Sequence, residues 1–570
     1  MPEHEKRTDK DAPLRRDIRL LGDFLGKAVQ QHDGLEVFQI VEQLRQSCIR
    51  LREYNRASLQ ADPENASILA HKITELDQEI TQIVEESDLD TAIDVIRAFT
   101  VYFHLVNTAE QHHRIRRNHA HELDTQAPRR KGSLGALVEQ FKRADLSSEQ
   151  VQQLLDQLSI ELVFTAHPTE ATRRSLITKA REVDDLLEKQ DAALAMTPRQ
   201  QAHWQRKLES LISLLWHTNA VRHVRPELLD EVKMGTYYLD EVLYTALPDL
   251  YAELEDHLQR AYPDARLYVP PFLRIGSWIG GDQDGNPSVR PGTLLEALRL
   301  QRTHVIEHYR TSIEKLAQDC SQSLEFCTIT PALATSLEHD AALLPEYDRE
   351  LGPQTADEPY RRKLSFMWKR LESTLSPTTD ANVAYQQPAE LLHDLALLRD
   401  SLLNGGERAL VQEKVNTLLR QVQVFGFHFA ALDVRQHSER HAAAIADLLS
   451  VTGLLQKDYQ QLDEEARIEL LGNLIQDPRI FPRQNLQLRP ETTHVLATFD
   501  AIRQARNEFG QKAVTCYIIS MTRSLSDLLE VQFLCKEAGL IGLPIVPLFE
   551  TIDDLQACTR ILEHAFTHPA

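Results

Sequence analysis

Basic residues, cysteines and long apolar runs are all scarce in this sequence of 570 residues, and each scarcity excludes a class of protein. The 63 Lys and Arg are outnumbered by 85 Asp and Glu, giving a formal net charge of −22, which argues against a nucleic-acid partner. The six cysteines form no CxxC pair, as is typical of reduced thiols in a cytoplasmic protein. No run reaches the roughly 18 apolar residues of a membrane span. The charged amino terminus also lacks the apolar segment of a signal peptide. We therefore expect a cytoplasmic protein with no membrane partner.

Glycine and proline are also few, at 20 and 25 residues, and long tracts of Leu, Ala, Glu, Gln and Arg predict a largely helical chain. We expect residues 1–13 to be disordered and residues 14–158 to form an amino-terminal helical region. Residues 159–570 form the other predicted region. It contains strands as well as helices, with helical insertions at about 182–267 and 292–423.

Five short apolar runs in the second region predict strands, each followed by a helical pattern and each ending on polar or charged residues. The runs lie near residues 161–167, 268–278, 425–433, 514–521 and 545–549. This alternation is typical of a parallel βα architecture. A (β/α)8 barrel of the TIM type needs eight strands, so the sequence predicts a mostly α chain with α/β character and about five of the eight strands.

His167 ends the first run, between a buried-looking strand and a helix expected over residues 170–181, with Arg173 and Arg174 in its first turn. The carboxyl end of a parallel strand, ahead of a helix amino terminus, is where α/β folds place catalytic groups and receive phosphate. A lone histidine at a strand end can also be a structural residue whose ring nitrogens are hydrogen-bonded. The surroundings alone leave the functional and the structural interpretation open.

Three other strand ends carry candidate groups. Arg435 is either an anion ligand or half of an ion pair with Asp433 or Glu439. Glu550 could bind Mg²⁺, hold a helix amino terminus or act as a base. The glycine-containing stretch 280–287 after Trp278 has two interpretations, a tight turn and the wall of a small-anion pocket.

Four motifs occur in a shared order: Phe164-Thr-Ala-His-Pro-Thr-Glu170, Ser277-Trp-Ile-Gly-Gly-Asp-Gln-Asp-Gly-Asn-Pro287, Leu432-Asp-Val-Arg-Gln436 and Pro547-Leu-Phe-Glu-Thr551. The phosphoenolpyruvate carboxylase family has these motifs in the same order, and the chain resembles that family. The resemblance implies conversion of phosphoenolpyruvate and bicarbonate to oxaloacetate and phosphate, with Mg²⁺ or Mn²⁺ as cofactor. It also implies a homotetramer with allosteric control when the chain is full-length.

The resemblance also implies a role for each candidate residue. His167 takes the proton of a carboxyphosphate intermediate, for which an imidazole with a pKa near neutrality is suited. Arg435 holds the substrate phosphate, Glu550 is one metal ligand, and Trp278 lies near the bicarbonate pocket.

The sequence departs from the family in two respects. Gln283 stands where the family usually has Arg, which removes a positive charge, with an open effect on anion affinity. The last barrel strands and the Gly-Tyr-Ser-Asp motif with the second metal carboxylate are absent. With Glu550 alone a metal would bind weakly, so we expect an inactive amino-terminal fragment. The alternatives are an enzyme that is phosphorylated on His167 by phosphoenolpyruvate and a non-catalytic helical scaffold.

Overall fold

A computed structural model of the chain describes residues 10–124, 127–165, 173–192, 196–219, 227–284, 286, 288–376, 382–481, 483 and 486–570. The chain divides into two compact units, Met1–Pro128 with Glu170–Arg225, and Arg129–Thr169 with Pro226–Ala570. The domain boundaries drawn from the sequence stay predictions. None of the helices in the described ranges is long and apolar enough to cross a membrane.

The described residues of the first unit form six helices, five of which contribute residues to one apolar core. The helices are α1 (Ala12–His32), α2 (Gly34–Ser58), α3 (Pro63–Glu86), α4 (Leu89–Leu123), α7 (Arg174–Ala192) and α8 (Pro198–Trp216). Asp62 and Asp88 accept backbone N–H groups at the starts of α3 and α4, as helix N-caps do. The indole of Trp204 donates to the carbonyl of Leu186 at 2.8 Å and joins α8 to α7.

The second unit has six short strands in its described residues, and every pairing is parallel. They are β1 (Ile160–Phe164), β2 (Leu273–Ser277), β3 (Ala431–Leu432), β4 (Val434–His437), β5 (Tyr517–Ser520) and β6 (Ile545–Pro547). Two sheets result, in the orders β1-β2-β3 and β4-β5-β6. Since Asp433 alone separates β3 from β4, one chain run pairs with β2 on one side and β5 on the other. Strand neighbours therefore follow chain order.

Helices connect and cover these strands, as parallel pairing requires. They are α5 (Leu134–Arg143), α6 (Ser148–Gln157), α9 (Leu228–Tyr238), α10 (Tyr244–Ala261), α11 (Pro291–Asp319), α12 (Pro331–Leu343), α13 (Pro345–Leu351), α14 (Pro359–Leu375), α15 (Pro388–Asn404), α16 (Arg408–Leu410), α17 (Asn416–Phe425), α18 (Ser438–Thr452), α19 (Glu464–Gln476), α20 (Pro490–Phe509), α21 (Leu525–Glu537) and α22 (Ile552–Thr567). π-helical turns at Leu239–Leu243 and Val411–Val415 join α9 to α10 and α16 to α17. The prediction of a mostly helical chain with parallel strands is confirmed. The barrel stays a prediction.

The third strand differs from its predicted position. The run 425–433 was expected to be the strand, with Arg435 after it, but α17 ends at Phe425 and Arg435 lies inside β4. The residues between are a buried turn in which Phe429 has φ 65°. A short apolar run cannot distinguish a buried turn from a buried strand, because both consist of apolar side chains without a clear period.

The first strand was expected to be buried, and this prediction was wrong. Ile160, Leu162 and Val163 are between 41% and 42% exposed. In the described residues β1 pairs with β2 alone, so one of its edges is open. Apolar composition predicts a strand but does not reveal which neighbours cover it.

Candidate functional site

Two glycines let the loop after β2 pack closely against the junction of β3 and β4. A Cβ on Gly281 would lie 2.2 Å from the backbone oxygen of Asp433, a distance that no side chain tolerates. Gly280 has φ +94°, a left-handed conformation that glycine adopts at little cost. Gly281 is therefore required by a close backbone approach, and Gly280 by its backbone conformation.

Backbone hydrogen bonds hold this loop between β1 and β4. The N–H of Trp278 donates to the carbonyl of Phe164 at 2.8 Å, and that of Gln283 donates to the carbonyl of Arg435 at 2.8 Å. The N–H of Arg435 donates in turn to the carbonyl of Gly281 at 3.1 Å. The loop thus extends the strand pairing and carries its side chains to the carboxyl ends of the strands.

Arg435 is held by three side chains of this loop. Its Nε donates to Asp282 at 2.9 Å, its Nη2 lies 3.6 Å from a carboxylate oxygen of Asp284, and its guanidinium lies 4.7 Å from the ring centroid of Trp278. Asp433 and Glu439, the ion-pair partners considered from the sequence, are not the partners found. Arg435 points toward the loop of β2, which is distant in sequence, and local spacing does not indicate such a partner.

The charges around Arg435 are mostly negative. Burial alone would lower the pKa of Arg435, but the hydrogen bond that Arg435 donates to Asp282 and the charges of Asp282, Asp284 and Glu550 outweigh burial and raise the pKa. The guanidinium is therefore a fixed cation. An incoming anion would have to compete with two carboxylates for it or approach the Nη1 side, which contacts no hydrogen-bond partner in the described part of the chain.

Glu550 follows β6 and is tied to the end of β5. Its Oε2 accepts the backbone N–H of Met521 at 3.1 Å. Met521 has φ 55°, which is uncommon for a residue with a side chain, and Ser438 donates to its carbonyl at 2.9 Å. This strained turn directs an N–H at Glu550 and leaves the other carboxylate oxygen free of hydrogen bonds in the described residues.

Asp433 is a buried carboxyl group beneath the loop. It is 4% exposed and accepts from Cys516 at 3.2 Å and from Thr515 at 3.4 Å. Burial raises its pKa, the hydrogen bond from Cys516 opposes the rise, and the charge of Glu161 adds to it. Burial also raises the pKa of the Cys516 thiol, so this cysteine is a weak nucleophile.

Gln283 occupies a neutral, buried setting. It is 8% exposed, its side-chain amide donates to Thr498 at 3.0 Å, and its oxygen accepts from Gln436 at 3.3 Å. Gln436 and Arg435 are consecutive on β4, so their side chains leave opposite faces of the strand. Gln283 therefore lies behind the strand, not beside the Arg435 guanidinium.

The structure brings Arg435, Trp278 and Glu550 into one region at the ends of β2, β4 and β6, whereas His167 lies outside the described residues. Among the described residues no group of three or more His, Cys, Asp or Glu could hold a metal ion. Sequence reasoning missed Asp282 and Asp284 as partners of Arg435, and the backbone N–H of Met521 as a partner of Glu550. The two acids could have been noticed, because they flank Gln283 in a loop that contains no other charge.

Comparisons with known proteins identify the family of the chain. The family model described as phosphoenolpyruvate carboxylase matches residues 14–570. The chain belongs to the phosphoenolpyruvate carboxylase family. A phosphoenolpyruvate carboxylase of Roseiflexus castenholzii is 37% identical over 586 residues, which cover 99% of this chain and 60% of the relative. One of Aromatoleum aromaticum is 36% identical, covering 98% and 60%, and one of Azorhizobium caulinodans is 34% identical, covering 98% and 59%. The chain thus spans about 60% of the length of these phosphoenolpyruvate carboxylases.

Proposed function

We propose that this chain is the amino-terminal part of an enzyme that converts phosphoenolpyruvate and bicarbonate to oxaloacetate and phosphate. Family membership supports the reaction. The observation that carries the proposal is the placement of Arg435, a fixed cation with one open side, within the same region as Trp278 and Glu550. Binding of an anionic substrate needs such a cation in a chain whose net charge is −22.

In this proposal Arg435 binds the phosphate of phosphoenolpyruvate through its open Nη1 side, while Asp282 and Trp278 keep the guanidinium in place. The phosphoryl group moves to bicarbonate, giving carboxyphosphate and the enolate of pyruvate. His167 accepts the carboxyphosphate proton, and the C–O bond to phosphate breaks to release CO₂ beside the enolate. The enolate carbon then attacks CO₂ and forms oxaloacetate. A histidine suits this step because its ordinary pKa lies near neutrality.

Glu550 fits a role as one ligand of Mg²⁺ or Mn²⁺, since one of its oxygens is free and Mg²⁺ is often bound by one or two carboxylates with water and substrate phosphate. When bound, the metal would neutralise charge on the phosphoryl group. Asp282 and Asp284 are already engaged by Arg435, so a second carboxylate has to come from elsewhere.

The strand arrangement supports a barrel that is incomplete in these 570 residues. Parallel strands that neighbour one another in chain order are typical of (β/α)8 barrels. We propose that the segment present in the relatives and absent here supplies the remaining strands and the second metal carboxylate. The chain alone is then inactive, and the complete protein forms the homotetramer with allosteric control that the family resemblance implies.

The test is an assay of bicarbonate-dependent oxaloacetate formation with Mg²⁺. Three proteins are compared: the 570-residue chain, the chain extended with the carboxyl-terminal segment of the Roseiflexus relative, and the extended chain carrying His167→Asn. We expect activity in the extended chain only. The exposed His71 on α3 provides a matched control, and His71→Asn should leave the activity unchanged.

Three outcomes would change this proposal. A folded extended chain without activity would contradict the carboxylase function. Activity of the 570-residue chain alone would contradict the incomplete site but keep the reaction. An acid-labile phosphate on His167 after incubation with labelled phosphoenolpyruvate would favour a phosphohistidine enzyme instead.

A further inference from the structure

His112 of α4 is a buried histidine with a carboxylate at each of its two ring nitrogens. Its side chain is 5% exposed. The Nδ1 atom lies 2.9 Å from a carboxylate oxygen of Asp184, and the Nε2 atom lies 2.9 Å from one of Asp191. Both acids belong to α7, so the imidazole joins α4 to α7 at two points within the first unit.

These two contacts determine how many protons the ring carries. A carboxylate only accepts hydrogen bonds, whereas a neutral imidazole donates from one nitrogen and accepts at the other. A neutral ring would therefore place a lone pair against one of the two carboxylates. Both hydrogen bonds form when His112 is an imidazolium, which donates from Nδ1 to Asp184 and from Nε2 to Asp191.

The charges around His112 agree with a doubly protonated ring. Arg116 of α4 donates to Asp191 and to Asp17 of α1, both at 2.6 Å. Arg16 of α1 also donates to Asp191, at 3.1 Å. We call these groups the His112 cluster, which consists of His112 and Arg116 of α4, Arg16 and Asp17 of α1, and Asp184 and Asp191 of α7. Its acids are three and its arginines two, so an imidazolium makes the positive and negative charges equal.

The two acids that contact the ring differ in their surroundings. Burial raises the pKa of Asp184, and the charge of His112 opposes the rise. The charges of Asp185 and Glu188 on α7 add to it. Burial also acts to raise the pKa of Asp191, but hydrogen bonds from the two α4 residues of the cluster outweigh burial and lower it. The positive ring of His112 thus favours the ionised form of both acids.

The neighbouring His113 has a different protonation state. The Nη1 atom of Arg116 lies 3.2 Å from the Nδ1 atom of His113. Since arginine only donates, this Nδ1 accepts and carries no proton. The Nε2 atom of His113 lies 3.8 Å from a carboxylate oxygen of Asp11. A second ring proton on His113 would break the contact with Arg116, so His113 acts against His112 when the pH falls.

We propose that His112 is a pH-sensitive clamp: its second ring proton holds α7 against α4, and loss of that proton as the pH rises allows α7 to open locally. In the open state the ring faces water, where histidine has an ordinary pKa of about 6.5. The closed state binds the proton more firmly than the open state does. Stabilisation by the clamp is therefore complete below about pH 6.5 and is lost as the pH rises.

The test is amide hydrogen exchange of α7 in the purified 570-residue chain, measured by mass spectrometry at pH 6, 7 and 8 and corrected for the intrinsic exchange rate. We expect the protection of α7 to fall at least about fivefold from pH 6 to pH 8 in the wild-type chain. The variant His112→Gln removes the ring and should show low protection at all three pH values.

The variant Asp184→Asn distinguishes a proton clamp from a purely structural contact. An asparagine amide donates to Nδ1, so a neutral ring keeps both of its hydrogen bonds. We expect α7 of this variant to stay protected at pH 8. The matched control is Asp77→Asn, which changes an exposed aspartate on α3 of the same unit and should keep the wild-type fall.

The wild-type chain alone can overturn the proposal, because constant protection of α7 from pH 6 to pH 8 contradicts it. A fall in Asp184→Asn as large as in wild type would also overturn it, since a general loss of stability then explains both. Equal loss of protection in Asp184→Asn at pH 6 and pH 8 would show that the contact is only structural, and the clamp would be rejected.

Discussion

At the scale of single residues, Arg435 shows how one cation is kept available while it is surrounded by acids. Asp282 fixes the Nε edge at 2.9 Å and Trp278 covers one face of the guanidinium, so the remaining donors point in a set direction. Because the pair is only 18% and 24% exposed, its interaction is screened less than that of a surface pair. The pair should therefore contribute to stability as well as to substrate binding.

A double-mutant cycle tests this coupling. Arg435→Gln, Asp282→Asn and the double variant should yield a coupling energy of about 1–2 kcal/mol in urea unfolding, because a charge-assisted hydrogen bond is lost. The matched control is the pair Arg299 and Glu508, which also forms hydrogen bonds but is 50% and 36% exposed. Its coupling should stay below about 1 kcal/mol. A control coupling as large as that of Arg435 would contradict the argument.

Glu530 on α21 makes stability depend on pH. Its carboxyl is buried, accepts from Tyr459 at 2.8 Å, and has its pKa raised by burial from 4.5 to about 8. The folded state then holds a proton that the unfolded state releases. Stability from this group is complete below pH 4.5 and is lost as pH rises through about 8.

Glu530→Gln mimics the protonated form. We expect it to flatten the pH dependence of the free energy of unfolding between pH 4.5 and 8, and to stabilise the chain above pH 8 by a few kcal/mol at most. The exposed Glu469 on α19 supplies the control Glu469→Gln, which should keep the wild-type profile. The prediction fails if Glu530→Gln and wild type lose stability in parallel from pH 4.5 to 8.

The sequence predicted which residue types lie at this site better than it predicted their partners. Trp278, Arg435 and Glu550 could be selected because each stands at the end of an apolar run. Their contacts could not be predicted from the sequence, since Asp282 lies 153 residues from Arg435 and Met521 binds Glu550 through its backbone N–H. Residue type does not indicate which backbone N–H will make such a contact, because almost every residue carries one.

At the scale of elements, a buried ion network joins three helices of the second unit. Lys363 of α14 is fully buried and contacts Asp340 of α12 at 2.6 Å and Asp394 of α15 at 2.7 Å. Arg370 at 2.9 Å and Tyr385 at 2.6 Å complete the hydrogen bonds of Asp394. Every charge here has a partner, which is the condition under which a buried network is tolerated.

Removing the central cation should be costly. We expect Lys363→Met to lower the free energy of unfolding by about 3–5 kcal/mol, because two buried carboxylates lose their shared partner. Lys369→Met on the same helix is the control, since Lys369 is 34% exposed and its loss should cost less than about 1 kcal/mol. Urea unfolding of both variants measures these changes in the free energy of unfolding. Similar losses would show that the network stabilises α14 no more than a surface pair does.

Element type was easier to predict than element position. Alternation of apolar runs with helical patterns correctly indicated parallel strands, because crossover helices are what parallel pairing needs. The division of the third run into α17, a turn, β3 and β4 was beyond the same reasoning. The turn and β3 are almost entirely buried, so neither shows the alternation that separates a strand from a turn.

At the scale of the whole molecule, apolar residues are exposed at both ends of the strand order, as they are at other places along the chain. Ile160, Leu162 and Val163 of β1 are between 41% and 42% exposed at one end. Val546 of β6 is 39% exposed at the other, and Ile552 and Phe566 of the following α22 are 75% and 84% exposed. Open strand edges and apolar patches of this kind favour association with further chain.

Hydrogen exchange measures whether the proposed additional strands cover these edges. In the 570-residue chain, the amides of β1 and β6 that face away from β2 and β5 have no partner strand among the described residues and should exchange rapidly. In the chain extended with the relative's carboxyl-terminal segment, they should exchange at least about tenfold more slowly, because new strands accept them.

The central strands provide the internal reference for this experiment. Amides of β2 and β5 already have neighbours on both sides and should exchange at similar rates in the two proteins. A slowing spread evenly over all strands would reflect a general gain of stability rather than pairing at the edges. Unchanged exchange in β1 and β6 of a folded, active extended chain would mean that the additional segment completes the site without closing the sheet. Closure and catalysis would then be separate properties of the molecule.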